Sequence, residues 1–312
     1  MDAVEESTLT IVDPVLLAFA DEVGASGPVA VAGGRTRWDV GGSLDPEARV
    51  LSAPSGVVAH QPSEMTVQVR AGTTVAELDA ELAAHGQRTA LPDRGGTVGG
   101  AVAVGENPVD VLARGRLRDA VLQVRYVSAE GELVTGGGPV VKNVTGYNLP
   151  KLMTGSLGTL GVLAEFVLRT NPVPPASRWL SAEGVDPTLV FGAVHRPAAV
   201  LWDGLTTWVQ LEGHGVDIDA DAVALGRLSS FTEVAGPPAM PDHRWSLTPA
   251  EALDLPAHVD GDVVVALGVG LAWASQPQPP RPVTPEVAAV SARMKENFDP
   301  TGRLNPGRSV FA

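Results

Sequence analysis

Glu64-Met65-Thr66-Val67-Gln68-Val69-Arg70-Ala71-Gly72-Thr73-Thr74-Val75-Ala76-Glu77-Leu78 changes periodicity part-way along. Val67 and Val69 alternate with polar neighbours, the period-2 pattern of a half-buried strand over Met65 to Ala71. After Gly72 a Thr73 or Thr74 hydroxyl is placed to cap a helix that runs through Leu82 to His85 and stops at Gly86. The same grammar extends outward on both sides. Val12 to Val23 carries apolar residues at helical spacing, and Pro28 to Ala32 is a short buried-strand run ending at Gly33-Gly34. Downstream, Asp119 to Val127 reads as a strand, Ala129 to Glu132 as a hairpin turn, Leu133 to Thr135 as its return, and Gly136 to Gly138 as the opening of a loop.

Alternation of this kind holds to about residue 172, where Asn171-Pro172-Val173-Pro174-Pro175 breaks it. A smaller α+β region follows. It has strands expected near Arg178–Ala182, Ala198–Trp202, Thr206–Leu211, Phe231–Val234 and Val263–Trp273, and a helix from about Asp219 to Leu228. A second proline-rich break at 276–282 leads to a C-terminal helix near Pro285–Asn297 and a turn-rich tail. Three regions result: 1–175, 176–275 and 276–312.

The 312 residues carry 22 basic and 36 acidic side chains, a formal charge of −14, and no cysteine. Length and a 44% apolar fraction suffice for a sizeable core and favour about two domains. The acidic balance argues against nucleic acid as a partner, because binding there depends on Lys and Arg neutralising phosphates. The absence of cysteine excludes disulfides, thiolate-ligated metal clusters, a thiol nucleophile and a cysteinyl cofactor link. An acidic N-terminus lacks the pattern of a targeting segment, and the longest apolar run, Val263 to Ala274, is short of the roughly 20 residues that span a bilayer. The expected setting is cytoplasmic, with no transmembrane segment.

Three glycine-rich segments bear on chemistry: Gly33-Gly34-Arg35-Thr36, Gly95-Gly96-Thr97-Val98-Gly99-Gly100 and Gly155-Ser156-Leu157-Gly158-Thr159-Leu160-Gly161. Each alone suits an ordinary tight turn. Together they suit a dinucleotide, since glycine lets backbone N–H groups close on a diphosphate. None has the G-x-G-x-x-G spacing of a nicotinamide fingerprint, and no P-loop occurs.

These segments, with Gly33 to Gly42, Glu64 to Leu78 and Leu91-Pro92 through Gly100, resemble the FAD-binding domain of the vanillyl-alcohol oxidase/PCMH flavoprotein superfamily. Val141-Lys142-Asn143-Val144-Thr145-Gly146-Tyr147-Asn148-Leu149-Pro150-Lys151-Leu152, running into Gly155 to Val162, is similar to the 2-hydroxy-acid dehydrogenase branch, and in particular to FAD-binding subunits of bacterial glycolate oxidase. Lys295 to Arg308 resembles that family's C-terminal signature, and Val209 to Gly213 a strand and turn of its cap. The resemblance covers residues 29–172 and 285–308 well and the middle loosely. It implies an α+β fold: a PCMH-type FAD-binding domain of two α/β subdomains (1–175), a reduced α+β cap domain (176–275), and a C-terminal segment (276–312) that returns to the FAD domain.

The resemblance also assigns roles. Gly33, Gly34, Arg35 and Thr36 form the first diphosphate loop. Pro92, Gly95, Gly96, Thr97, Gly99 and Gly100 follow the diphosphate and ribityl chain, and Gly158, Gly161 and Val162 lie near the adenine. Arg35 stands where the family usually has a third glycine, and Val104-Gly105-Glu106-Asn107 departs from its usual Ala-Thr-Asn-x-Ser-Gly run. FAD is expected to be non-covalent: Arg35 or Thr36 occupies the position of the linking histidine, and there is no cysteine.

Oxidising a 2-hydroxy acid requires a cation for its carboxylate, a base for its hydroxyl proton and often a metal. The cap histidine pattern and the His-Gly-Asp-Gly-Asn type segment of catalytic relatives are absent, and the six histidines stand singly, so no metal site is expected. Lys142 and Tyr147, with Asn143 and Thr145, are the weak catalytic candidates for the flavin's reactive face, by resemblance and because two of only three lysines cluster there; Tyr147 equally fits plain packing. The expected function is an FAD-binding oxidoreductase subunit of a glycolate/D-lactate (2-hydroxy acid) dehydrogenase-type complex. It would pass electrons to separately encoded partners, a catalytic flavin subunit and an iron–sulfur subunit. A self-sufficient FAD-dependent dehydrogenase and a non-catalytic flavin-binding scaffold are the alternatives.

Overall fold

A computed structural model describes residues 13–92, 94–138, 148–280 and 282–311. The helix Pro14–Val23 begins where Asp13 caps it, its carboxylate accepting from the Val15 amide at 2.9 Å, with proline at the first turn. Its apolar stripe, Leu16, Phe19 and Val23, packs on the parallel pair Val29–Val31 and Arg49–Leu51. The C-terminal tail joins this small lobe. Leu304 bridges Val29, and the Arg303 guanidinium donates to the carbonyls of Val23, Ser26, Gly27 and Ala129.

A five-stranded antiparallel sheet stands beside it, in the order Val57–Gln61, Thr66–Arg70, Val162–Arg169, Val121–Val127, Leu133–Gly137. The central strand Val162–Arg169 is buried at seven of its eight positions, because Leu163, Phe166 and Leu168 pack into one cluster and Val162 and Ala164 into another; Glu165, also buried, pairs with Arg125 at 3.1 Å. The helices Val75–Ala83 and Val98–Val104 cover the sheet through Leu78, Leu82, Val98 and Val102. Thr74 begins the first of these with a capping box closed by Glu77.

Residues 176–274 form a seven-stranded antiparallel sheet. Helices Pro187–Ala193, Gly215–Gly226 and Pro249–Asp254 lie against one face, sharing a core with Val209, Leu211 and Val265. On the other face Leu201, Val264 and Trp273 pack with Trp179, Met240 and, from the first region, Val109. That second face closes the functional cavity described below. No described helix is long and apolar enough to cross a membrane.

Several expectations are corrected. Val263–Trp273 is not one strand but the hairpin Val263–Ala266 and Leu271–Ala274, reversed by Gly268 and Gly270 at φ +75° and +69°. Gly136 and Gly137 do not open a loop; they extend the strand to Gly137, and a Cβ on Gly136 would lie 2.6 Å from Leu149 Cβ. The glycine-rich segment after Thr97 is helical. His60 and His85 do not stand singly: their rings meet edge to face at 4.8 Å.

Candidate functional site: a glycine-walled crevice and an arginine-rich cavity

The strand Val29–Val31 runs into the loop 33–37, where the backbone N–H groups of Gly33, Gly34, Arg35, Thr36 and Arg37 donate to no acceptor among the described residues. Consecutive free N–H groups in a loop make an anion-binding concavity. The loop backs onto Gly96 and Thr97. A Cβ on Gly33 would lie 2.3 Å from Thr97 Oγ1, and one on Gly34 would lie 3.1 Å from Gly96 Cα, so side chains there would wedge the loops apart. Arg35 has a left-handed backbone, φ +54°, and its guanidinium lies 4.8 Å from the Trp38 ring centroid; that of Arg308 lies at 5.0 Å. Burial lowers the Arg308 pKa, with Asp39 opposing that shift.

From this cationic end the crevice continues into a cavity of about 270 Å³ walled by Ala53, Ala71, Ala103, Val162 and Leu163, with Gly158 and Asn305 on its rim. Gly33, Thr97 and Gly100 belong to both parts. Asn305 donates to the Leu157 carbonyl at 2.7 Å, fixing the tail across the opening. A row of unsatisfied N–H groups and guanidiniums leading into an apolar slot suits a ligand with a diphosphate and flat rings. These residues fit FAD.

Arg37 leads out of the crevice toward a second cavity. It donates to the Gly95 carbonyl, to Thr36 Oγ1 and, through Nε, to the buried Glu106 carboxylate, which also pairs with Arg94 at 3.1 Å. The second cavity, about 250 Å³, lies between residues 92–114 and the seven-stranded sheet; Pro92, Arg94, Glu106, Asp110 and Arg114 line it together with Trp179, Gln210 and Trp273. Arg244, in register with Trp273, makes no side-chain hydrogen bond or ion pair among the described residues. Its pKa is lowered by burial first, with Arg94 and Arg37 adding to that and Glu106 opposing it. Arg37 and Arg94 pair with Glu106 and Arg244 lies within electrostatic reach of all three, so positive charge exceeds negative around this buried carboxylate, which favours a small anion.

The far wall holds a second polar group. Asp110 pairs with Arg114 at 2.7 Å and with Arg88 at 3.4 Å, while its Oδ1 is buried without a partner. Burial pushes its pKa up despite the two arginines. Arg88 also grips Glu212 with two hydrogen bonds, at 2.9 and 2.5 Å, tying the first region to the seven-stranded sheet.

Of the residues singled out from sequence, Gly33, Gly34, Arg35, Thr36, Thr97, Gly99, Gly100, Gly158 and Val162 line the crevice. Pro92 lines the second cavity instead. Gly95, Gly96 and Gly161 line neither; a Cβ on Gly161 would lie 2.3 Å from the Tyr126 ring, a packing reason for that glycine. Lys142, Asn143, Thr145 and Tyr147 lie outside the described residues. Sequence reading missed Arg37, Arg94, Arg244, Asp110 and Asn305 as site residues, and met Glu106 only as part of an atypical run. An available signal was that this run places a lone acid in an apolar stretch.

Residues 16–137 match the family model of an FAD binding domain. The chain carries a PCMH-type FAD-binding domain, and FAD is its cofactor. This flavoprotein is 27% identical to "Glycolate oxidase subunit GlcE" of Escherichia coli (strain K12) over 90% of its own length and 92% of that subunit. It is 34% identical to a "D-lactate dehydrogenase" of Archaeoglobus fulgidus over 50% of this chain, but it spans only 36% of that protein. Among solved structures, alkyldihydroxyacetonephosphate synthase shares the fold, with a TM-score of 0.65 at 16% identity over 90% of this chain and 73% of that one.

Proposed function

We propose that the flavoprotein is an FAD-dependent oxidoreductase subunit of a complex that oxidises a small 2-hydroxy acid of the glycolate or D-lactate kind and passes the electrons to a separate partner. The observation that carries this reading is the positive charge gathered near Glu106 at the edge of the second cavity: Arg37 and Arg94 pair with this carboxylate and Arg244 lies within their electrostatic reach, as suits a carboxylate-bearing substrate. Likeness to a glycolate oxidase subunit along nearly its whole length supports the placement in a complex. FAD, when bound, supplies the acceptor for the electron pair leaving the hydroxyl-bearing carbon. The chain's own residues hold the diphosphate at 33–37, exclude water with Trp179 and Trp273, and orient the acid through Arg94 and Arg244. With no cysteine in the chain, onward electron flow through a thiolate-ligated cluster requires a second polypeptide. Among the described residues the crevice walls hold neither cysteine nor histidine, which supports FAD held without a covalent link.

Asp110 favours a second reading. A carboxylate with a raised pKa and an unpartnered oxygen is suited to accept the hydroxyl proton, and would make the chain a self-sufficient dehydrogenase. One experiment separates the two. Dye reduction with glycolate and D-lactate is measured for the purified flavoprotein alone and for the complex captured from its native host with the tagged chain. Turnover by the complex only supports the subunit reading; turnover by the chain alone, lost in Asp110→Asn with FAD content unchanged, supports the second. No turnover by either with any 2-hydroxy acid would refute both.

A further inference from the structure

We infer that His60, Glu81 and His85 form a binding site for a divalent transition-metal ion, zinc by its chemistry, distinct from the flavin and from the arginine-rich cavity. One ligand atom from each of the three lies within 4.8 Å of the others. His60 is on the edge strand Val57–Gln61, Glu81 is in the last turn of the helix Val75–Ala83, and His85 is in the turn that follows that helix. Two imidazoles and a carboxylate are a set that zinc accepts, leaving a coordination position for water.

Gln87 supplies an independent observation. Its amide nitrogen donates to the Pro62 carbonyl at 2.9 Å and its Oε1 accepts from Thr170 Oγ1 at 2.7 Å, so the amide orientation is fixed. His60 Nε2, 3.0 Å from that same Oε1, must therefore carry the hydrogen. The tautomer leaves Nδ1 as a bare lone pair, and that atom is buried with no partner. An imidazole N–H held by an oxygen acceptor, with the other nitrogen free, is how ligating histidines are oriented. Glu81 makes no hydrogen bond or ion pair among the described residues, and His85 makes only its ring contact with His60. Among the described residues no Lys or Arg pairs with this carboxylate. An ion here would pin the sheet's edge strand to the helix end, and Gln87 acts as a positioning residue.

The test uses the FAD-loaded protein, treated with chelator, dialysed and titrated with zinc chloride by calorimetry, with melting temperature as a second readout. The expected result is saturable binding of a single ion and a higher melting temperature. Binding should weaken at least about tenfold in His85→Ala and Glu81→Gln, whose exposed side chains leave folding intact, and about tenfold in Gln87→Ala. His258→Ala, whose ring meets only the Asp254 carbonyl, should bind as the parent does. Absence of saturable binding, or binding equally strong in His85→Ala and Glu81→Gln, would overturn the assignment.

Discussion

Arg35 holds a left-handed backbone, φ +54°, that glycine would adopt without strain. The strain is of order 1 kcal/mol, about what a glycine would lose through unfolded-state entropy. Arg35→Gly is therefore expected to leave the melting temperature nearly unchanged while weakening FAD binding about tenfold, more so at low salt, because a cation beside the diphosphate is gone. Flavin fluorescence titration at two ionic strengths checks this. Sequence marked Arg35 as a departure, but not that Arg308, far along the chain, brings a second guanidinium to the same Trp38 ring. Asp13 gives a pH prediction. Its hydrogen bond to Arg70 and its capping role lower its pKa, so its contribution to stability is present above the ordinary carboxylate value and is lost as pH falls through the depressed one. Asp13→Asn keeps a capping side chain but loses the charge. The stability gap between parent and variant, up to about 1 kcal/mol at pH 7, should close as pH falls below the ordinary carboxylate range in denaturant titrations.

At the scale of elements, Arg303 binds the tail to the first lobe through four backbone carbonyls, while Asp299 accepts from the Arg303 and Leu304 amides and from Lys295 Nζ. Removing the guanidinium leaves several buried carbonyls unmet. Arg303→Ala should cost at least about 3 kcal/mol in urea unfolding, with Arg303→Lys less severe because one donor group survives. The resemblance of residues 295–308 to a family signature was legible; that the signature is a backbone clamp was not, since carbonyl partners leave no trace in side-chain identity. The strand–turn–helix unit at 64–86 was legible because its alternation, capping box and terminal glycine agree. The hairpin at 263–274 read as one strand because both arms and the turn are largely apolar, and only Gly268 and Gly270 interrupt them.

Across the whole molecule, charge is distributed against its average: a chain of formal charge −14 gathers Arg37, Arg94 and Arg244 near Glu106. These arginines come from distant stretches, so no local motif announces them, whereas the glycine loops of the crevice are contiguous and could be read. Arg88 and Glu212 join the two sides of this cavity, with side chains 18% and 7% exposed. Glu212→Ala should destabilise by about 3 kcal/mol by taking from the Arg88 guanidinium its two-bond carboxylate partner, while the double variant with Arg88→Ala recovers part of that loss in a double-mutant cycle. The cavity itself is tested by Arg244→Ala, which should raise KM for the hydroxy acid about tenfold or more in the active complex without changing FAD content. The central claim is that the crevice between residues 33–37 and 97–100 holds FAD without a covalent bond. Its most direct test is the visible spectrum of the purified chain, followed by denaturation and filtration. The expected result is stoichiometric flavin that passes entirely into the filtrate; a colourless protein that takes up no added FAD, or flavin retained with the denatured chain, would contradict it.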